Sequence, residues 1–363
     1  MTIATVALIL AAFPLALALL NLLVYRTPPA ARDCPKVSIL IPARNEEANI
    51  GDAVACALAS EGVEVEVVVL DDHSTDGTAA VLASIQDAKL RVAEAPPLPP
   101  GWSGKQHACA TLATLAQHEL MVFVDADVRL APEAVARMAG AMQRRPSLGL
   151  ASGFPRQVFG GWAERLLLPM IHVLLLGYLP MLAARVFRVT SFGAGCGQLF
   201  VARRDAYVRA GGHGAIRASL HDGITLPRAF RRAGIMTGLF DASAFASCRM
   251  YQDTAQVWEG LTKNATEGMA TPVALPVWTA LLAGGHLLPW LLLLSDPSRM
   301  AVAAVLCSLG LRALVALRFD QPLRDVPLQP LSVLSVLVVQ WAALIRALRG
   351  RPATWRGRAY PAQ

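Results

Sequence analysis

The sequence predicts an α/β domain carried between membrane helices, and three observations predict it. Of 363 residues, 55% are hydrophobic and only 16% charged, against roughly 25% charged in soluble domains. The uncharged residues gather in blocks. Residues 1–25, 268–295 and 326–345 contain no Asp, Glu, Lys or Arg, and each reaches the roughly 20 apolar residues that cross a bilayer as a helix. Between these blocks, residues 26–267 have ordinary globular texture. There, short β-branched runs alternate with helix-forming stretches, the pattern of a mainly parallel sheet between helices.

In chain order, the first block reads as a retained anchor (1–25), because it lacks a basic start and a small-residue cleavage site ahead of Arg26. Arg26, Arg32 and Lys36 follow it, and the positive-inside rule then places the next domain in the cytoplasm of a bacterial-type inner membrane. A globular domain is expected over 34–267. VSILI (37–41) and VEVEVVVL (63–70) are predicted strands, each ending in a polar turn, PARNEE and DDHSTDGT, with a helix over 48–59 between them. In such sheets ligands bind at the carboxyl ends of the strands, where both turns lie. A helix over 76–85 and a strand over 90–93 continue the alternation until APPLPPGW breaks it. A helix over 108–117, the strand LMVFV (120–124) running into Asp125-Ala126-Asp127, and a helix over 131–143 follow.

Within the domain, 163–188 is an apolar insert. Its 19 uncharged residues, 166–184, are long enough to cross a bilayer, yet a single crossing would divide any site that uses both halves. Pro169, Gly177 and Pro180 interrupt it, which suits a bent segment lying in the interface. Residues 268–348 are expected to form transmembrane or interfacial helices; Arg312 and Arg318 weaken the block at 300–319. The basic tail, 349–363, raises a conflict. Three crossings after 271 would put Arg346, Arg349, Arg351, Arg356 and Arg358 outside, so a cytoplasmic C-terminus is expected, with TWRGRAY (354–360) returning towards the active side.

Charge and cysteine usage narrow the function. The chain carries a net +7, and 29 of its 33 basic residues are Arg, whose planar fork grips phosphate. No basic run with interleaved aromatics is present, which argues against nucleic acid. The six cysteines are scattered without a CxxC pair, fitting reduced thiols rather than a zinc site or disulfide frame. His107, His172 and His213 lack ligand spacing.

The chemistry gathers at strand ends. Asp125 and Asp127 fall on the same side of an extended backbone, where two carboxylates can hold Mg2+ or Mn2+ and neutralise a diphosphate leaving group. A capping role is the alternative for either. Asp71 and Asp72 precede the helix-starting residues Ser74, Thr75 and Asp76 and are placed to accept hydrogen bonds from a base or ribose.

PARNEE, VVVLDDHSTDGTA, PPGWSGK, FVDADV and LHDGITLPRAFRRAG, in this order and spacing, resemble the family 2 inverting glycosyltransferases of the GT-A fold. The resemblance spans about two-thirds of the chain, 36–271. PPGWSGKQHAC, SFGAGCGQLFVARRDAYVRAGGH, RMYQDTAQVWEGLTKNA and TWRGRAY narrow it to the membrane-bound subgroup associated with hopanoid and carotenoid lipids. The resemblance implies a nucleotide-sugar donor, with Pro42, Ala43, Arg44, Glu46 and Asp72 around its uridine. It implies Lys105 at the diphosphate, Asp125 and Asp127 as the metal motif, with Asp127 the direct ligand, and Asp222 as general base. Gly195 and Gln198 would lie beside the acceptor, with Trp258 and Lys263 at its entrance.

Two departures refine this expectation. The family's Glu-Asp pair reads His221-Asp222, which keeps the base and alters its neighbour. The (Gln/Arg)-x-x-Arg-Trp motif of processive synthases is absent at QDTAQVWEGLTKN, which predicts transfer of one sugar, to a membrane lipid hydroxyl. A polyprenyl-phosphate sugar synthase would share the donor motifs but need a basic acceptor pocket, for which Arg203 and Arg204 are the candidates. A Rossmann oxidoreductase is disfavoured because no GxGxxG follows the first strand. An inactive scaffold is disfavoured by the intact acidic set.

Overall fold

The structure, a computed structural model, describes residues 2–351 and the short segments 353–355 and 358–360. Along the chain, α1 (Ile3–Leu22) precedes β1 (Lys36–Ala43), α2 (Ile50–Leu58), β2 (Glu64–Asp71), α3 (Thr78–Ala83) and β3 (Leu90–Glu94). Next come α4 (Gly104–Leu115), β4 (Leu120–Val124), β5 (Val128–Leu130), α5 (Ala134–Arg144), β6 (Leu148–Phe154) and β7 (Arg156–Gln157). Three short helices follow, α6 (Trp162–Leu167), α7 (Pro169–Tyr178) and α8 (Met181–Val186). The chain then forms β8 (Leu199–Arg203), α9 (Arg204–Arg209), α10 (Asp222–Arg232), β9 (Met236–Asp241) and β10 (Ala246–Cys248). It ends in α11 (Thr254–Ala265), α12 (Ala274–His286), α13 (Leu288–Ser295), α14 (Arg299–Arg318) and α15 (Gln329–Leu348), followed by a short antiparallel pairing of 353–355 with 358–360. TWRGRAY falls partly outside the described residues, at Arg356 and Gly357.

The elements pack as two compact units. One comprises Tyr25–Val158 and Ala183–Met250; the other gathers the N-terminal helix, Phe159–Leu182 and the chain from Tyr251 onward. This division differs from the one that composition suggests, because α11 and most of the apolar insert pack with the terminal helices.

The first unit is the α/β domain. Its seven-stranded sheet has the order β3-β2-β1-β4-β8-β6-β9. Strands β1 to β4 run parallel, in a register that pairs Ile39 with Val67 on one side and Val122 on the other. Alternation along β1 sends Val37, Ile39 and Ile41 to one buried face and Leu40 to the other, so the sheet separates two apolar layers. Strand β8 is antiparallel to both β4 and β6, pairing Leu199 with Val124. That reversal matters for chemistry. A strand inserted antiparallel begins where its parallel neighbours end, so the loop entering β8 arrives at the edge carrying the carboxyl ends of β1, β2 and β4. A small sheet, β5-β10-β7, flanks the same edge.

In the helical unit, α1, α14 and the helical stretch Leu323–Leu348 are long and apolar enough to cross a membrane; α12 and α13, bent by 42°, form a fourth candidate if they act as one span. The arginines that weakened the 300–319 block do not break it. Arg312 is buried and its Nη1 donates to Gln321 Oε1 at 2.5 Å, a pairing of the kind an ionisable group inside a bundle requires. The insert is divided into α6, α7 and α8, none of them of spanning length. At the break between α7 and α8, Asn21 of α1 donates to Leu176 O at 2.8 Å and Leu179 O at 2.6 Å and accepts from Met181 N at 3.1 Å. One buried amide thus satisfies three backbone groups that the break leaves open.

Candidate active site

The site forms at the edge just described. Pro42 and Ala43 close β1, pairing with Leu70 and Asp71, and Asp72 N donates to Ala43 O at 2.8 Å. The two polar turns that follow are laced together. Arg44 Nη1 donates to Asp72 O at 2.5 Å, Asn45 N to Ser74 Oγ at 2.9 Å, and Glu46 N to Thr78 Oγ1 at 2.8 Å. Asn45 and His73 adopt left-handed backbone, φ 52° and 54°, which polar residues in tight turns tolerate better than others. Asp71 Oδ1 accepts from Ser74 N and Oγ at 3.0 and 2.5 Å and holds its own turn. Asp72 is buried beside it.

Lys105 joins the remaining carboxylates. Helix α4 starts earlier than its composition suggests because Ser103 caps it, accepting from Gln106 N, and this places Lys105 in the first turn. Its Nζ lies 2.7 Å from Asp125 Oδ2 and 3.0 Å from Asp222 Oδ2, and donates to Gly197 O at 3.1 Å. Ser103 N donates to Arg217 O at 2.7 Å and Gln106 Nε2 to Ser219 O at 3.3 Å, tying α4 to the loop that delivers Asp222. Asp222 is only 7% exposed at the start of α10. The glycines explain how it fits. A Cβ on Gly197 would sit 2.0 Å from Asp222 Oδ1, and one on Gly223 would sit 2.7 Å from Gly195 O, so loop and helix meet backbone to backbone.

Burial disfavours the charge on Lys105, yet Asp125 and then Asp222 outweigh it and hold the ammonium well above its ordinary range. Burial likewise raises Asp222, but the charge and hydrogen bond of Lys105, with His213 and His221 behind it, bring the carboxyl below its usual value. Asp127 goes the other way: burial, then the charges of Asp125 and Glu46, push it up to about 7. Its Oδ1 is sealed from solvent without a hydrogen-bond partner. A half-buried carboxylate with an unsatisfied oxygen beside a second acid is a fitting ligand for a hard divalent cation. Among the described residues no three His, Cys, Asp or Glu side chains cluster as a cage.

Several contributors escape the sequence motifs. Arg129 donates to Ala126 O at 2.9 Å and Asn49 Oδ1 at 3.2 Å, while Asn49 Nδ2 donates to Glu46 Oε2 at 2.9 Å, so the first turn and the DAD turn share one network. Both residues adjoin recognised motifs, which was the available signal. Gln198 O accepts from Asp125 N at 3.0 Å. Its side chain is buried, with Nε2 2.8 Å from Cys248 Sγ and Oε1 accepting from Gln157 Nε2 at 3.2 Å. Gly195 is packed against Ser152 and Phe200. Arg203 donates to Leu148 O and Met142 O, and Arg204 to His118 O and Ala116 O, so both serve main-chain carbonyls. Trp258, 44% exposed, and the half-buried Lys263 lie on α11 in the helical unit.

Residues 38–207, a little under half of the chain, match the family model for Glycosyl transferase family 2. Two 4,4'-diaponeurosporenoate glycosyltransferases of Staphylococcus aureus, from strains MRSA252 and USA300, are each 29% identical over 238 residues. The match takes in 64% of this chain and 61% of each relative, so the chain spans about three-fifths of their length. Among solved structures, the mannosyltransferase PcManGT from Pyrobaculum calidifontis, in complex with GDP-Man and Mn2+, superposes with a TM-score of 0.54 at 18% identity, covering 94% of this chain and 99% of that one. A mostly parallel sheet, its acidic strand-end turns and the match over 38–207 lead to one assignment: residues 38–207 are similar to the family 2 glycosyltransferase domain, and the chain has the GT-A fold.

Proposed function

We propose that the chain is a membrane-anchored inverting glycosyltransferase that moves one sugar from a nucleotide-sugar, a UDP-sugar in the first instance, to a membrane lipid hydroxyl at the cytoplasmic face of a bacterial-type inner membrane. The observation that carries the proposal is the junction of Asp125, Lys105 and Asp222, which brings a donor-side acid and a candidate base to one ammonium. Asp222, kept ionised, takes the proton of the acceptor hydroxyl as that oxygen attacks the anomeric carbon; the bond from that carbon to the diphosphate breaks, and the nucleoside diphosphate leaves from the opposite face. Lys105 supplies positive charge where the leaving diphosphate gathers negative charge. Asp127, with Asp125, would hold Mg2+ or Mn2+, which when bound neutralises the diphosphate. The laced turns around Arg44, Glu46 and Asp72 form the floor for the nucleoside. The S. aureus relatives, named for a carotenoid acid, support a lipid-related acceptor. Arg203 and Arg204, the basic pair that a phosphate-bearing acceptor would call on, are engaged by main-chain carbonyls.

Binding of UDP to the full-length protein in detergent, with and without Mn2+, tests the donor half. Affinity should depend on the metal and collapse in Asp127→Ala. Metal-independent binding, or none, overturns the reading. A set of UDP-sugars and GDP-mannose incubated with a membrane-lipid extract, followed by mass spectrometry for a single added sugar, tests the acceptor half.

A further inference from the structure

On the α/β unit, away from the carboxylates, arginines gather without regard to their mutual repulsion. Arg145 is lowered by burial and then by the charge of Arg185, Arg185 by burial and then Arg26, Arg231 by burial and then Arg145, and Arg228 by burial and then Arg232. These effects join Arg26, Arg145, Arg185 and Arg231 in one group, with Arg228 and Arg232 a separate pair on the same helix as Arg231. Arg231 organises the group. Buried itself, it donates through Nη2 to Ala184 O at 2.8 Å and through Nη1 to Phe187 O at 2.8 Å and Val189 O at 3.3 Å, and Arg145 Nη2 reaches Arg185 O at 3.5 Å. The segment these bonds hold presents Val186 at 72%, Phe187 at 57% and Val189 at 48% exposure, interleaved with exposed Arg185 and Arg188.

We propose that the segment Arg185–Val189 and the arginines around it form a docking surface for the anionic phospholipid headgroups of the bilayer. Guanidinium forks match phosphate oxygens in a bidentate way, and Val186, Phe187 and Val189 supply the apolar contact that a free phosphate could not use but an acyl boundary can. Chain continuity favours a membrane as the occupant. Arg26 follows the candidate span α1 by four residues, and Arg185 ends the apolar insert. Basic residues in these juxtamembrane positions are drawn to anionic leaflets by about 1 kcal/mol each. The backbone pinned by Arg231 keeps the apolar side chains presented instead of letting them fold inward. The surface is independent of the sugar that is transferred.

The test uses the full-length protein in nanodiscs containing either a photoreactive phosphatidylglycerol or a photoreactive phosphatidylcholine, with labelled peptides mapped by mass spectrometry. Peptides covering 184–191 should be labelled several-fold more by phosphatidylglycerol than by phosphatidylcholine. The variant Arg145→Gln/Arg185→Gln/Arg232→Gln, which spares buried Arg231, should bring the two lipids level there while labelling of α14 stays the same. Equal labelling by both lipids in the unaltered protein overturns the proposal, as does a preference that survives the triple variant. Hydrogen exchange of β1 and β4, unchanged in the variant, shows that the α/β unit is still folded.

Discussion

Lys105 joins two acids with different proposed duties, its one ammonium lying 2.7 Å from Asp125 and 3.0 Å from Asp222. If Asp222 is the base and Asp125 belongs to the donor side, substitutions at the three positions separate. Asp222→Asn keeps the shape and the donor pocket, so UDP affinity should stay within a few-fold while transfer falls roughly 10²–10⁴-fold, the usual contribution of a positioned base. Lys105→Met removes a charge from both sides. It should weaken UDP binding as well as turnover, each charged hydrogen bond lost being worth about 1.5–3 kcal/mol. Titration calorimetry with UDP alongside an assay of sugar transfer distinguishes the patterns. Equal loss of UDP affinity in both variants would remove Asp222 from the base's role.

Among the elements, the loop entering β8 and the start of α10 depend on the same close approach. Gly197→Ala would place a methyl 2.0 Å from Asp222 Oδ1, and a displacement of about 1 Å at a reacting group can lower the rate on the order of 100-fold. The expected outcome is a strong fall in turnover with an unaltered circular dichroism spectrum. A second element-level device is the break between α7 and α8. Asn21→Leu would strip partners from Leu176 O, Leu179 O and Met181 N, and each buried polar group left open costs about 1–3 kcal/mol. The melting temperature in detergent should drop clearly even though leucine is more apolar. These two sites also mark what the sequence could convey. Asp125 is legible because it ends an apolar strand, and Lys105 only through the resemblance carried by PPGWSGK, since the helix start capped by Ser103 is not apparent from composition. The contact between Gly197 and Asp222 is not legible, because it depends on β8 entering antiparallel between β4 and β6. LFVAR and LGLASGF are too short or too glycine-rich to announce that pairing. Arg312 misleads for a related reason: its buried partner Gln321 lies nine residues on, beyond the helix end, and composition registers only the charge.

For the whole molecule, a division into two units means that stability is best followed unit by unit, since a single melting temperature presumes one cooperative transition. The α/β unit carries a marker of its own, His213. Tyr207 OH lies 2.7 Å from His213 Nδ1 and also accepts from His213 N at 3.1 Å, so the buried imidazole is tied to one phenol. Burial pushes its pKa down to about 3; the nearby Asp222 charge opposes the shift without reversing it. The sign follows from linkage. Below an unfolded value of about 6.5 the unfolded chain binds a proton that the folded chain refuses until about pH 3, so stability falls continuously across that interval. Asp222, lowered when folded, adds a loss of the same sign below its ordinary carboxylate range. Asp127, pushed up to about 7 when folded, contributes with the opposite sign over the same interval, so the histidine is read by comparison: as pH drops from about 6.5, hydrogen exchange of β1 and β4, corrected for intrinsic rates, should lose more protection in the unaltered protein than in His213→Gln. In His213→Gln the onset of any loss of protection should move to lower pH. UDP with Mn2+ should act in the opposite direction at constant pH, raising protection in the same strands by about 2.7 kcal/mol at a hundredfold excess over Kd. If the ligand protects only α14 and α15, or if His213→Gln leaves the onset unchanged, then neither the donor site nor the buried histidine governs the stability of the α/β unit.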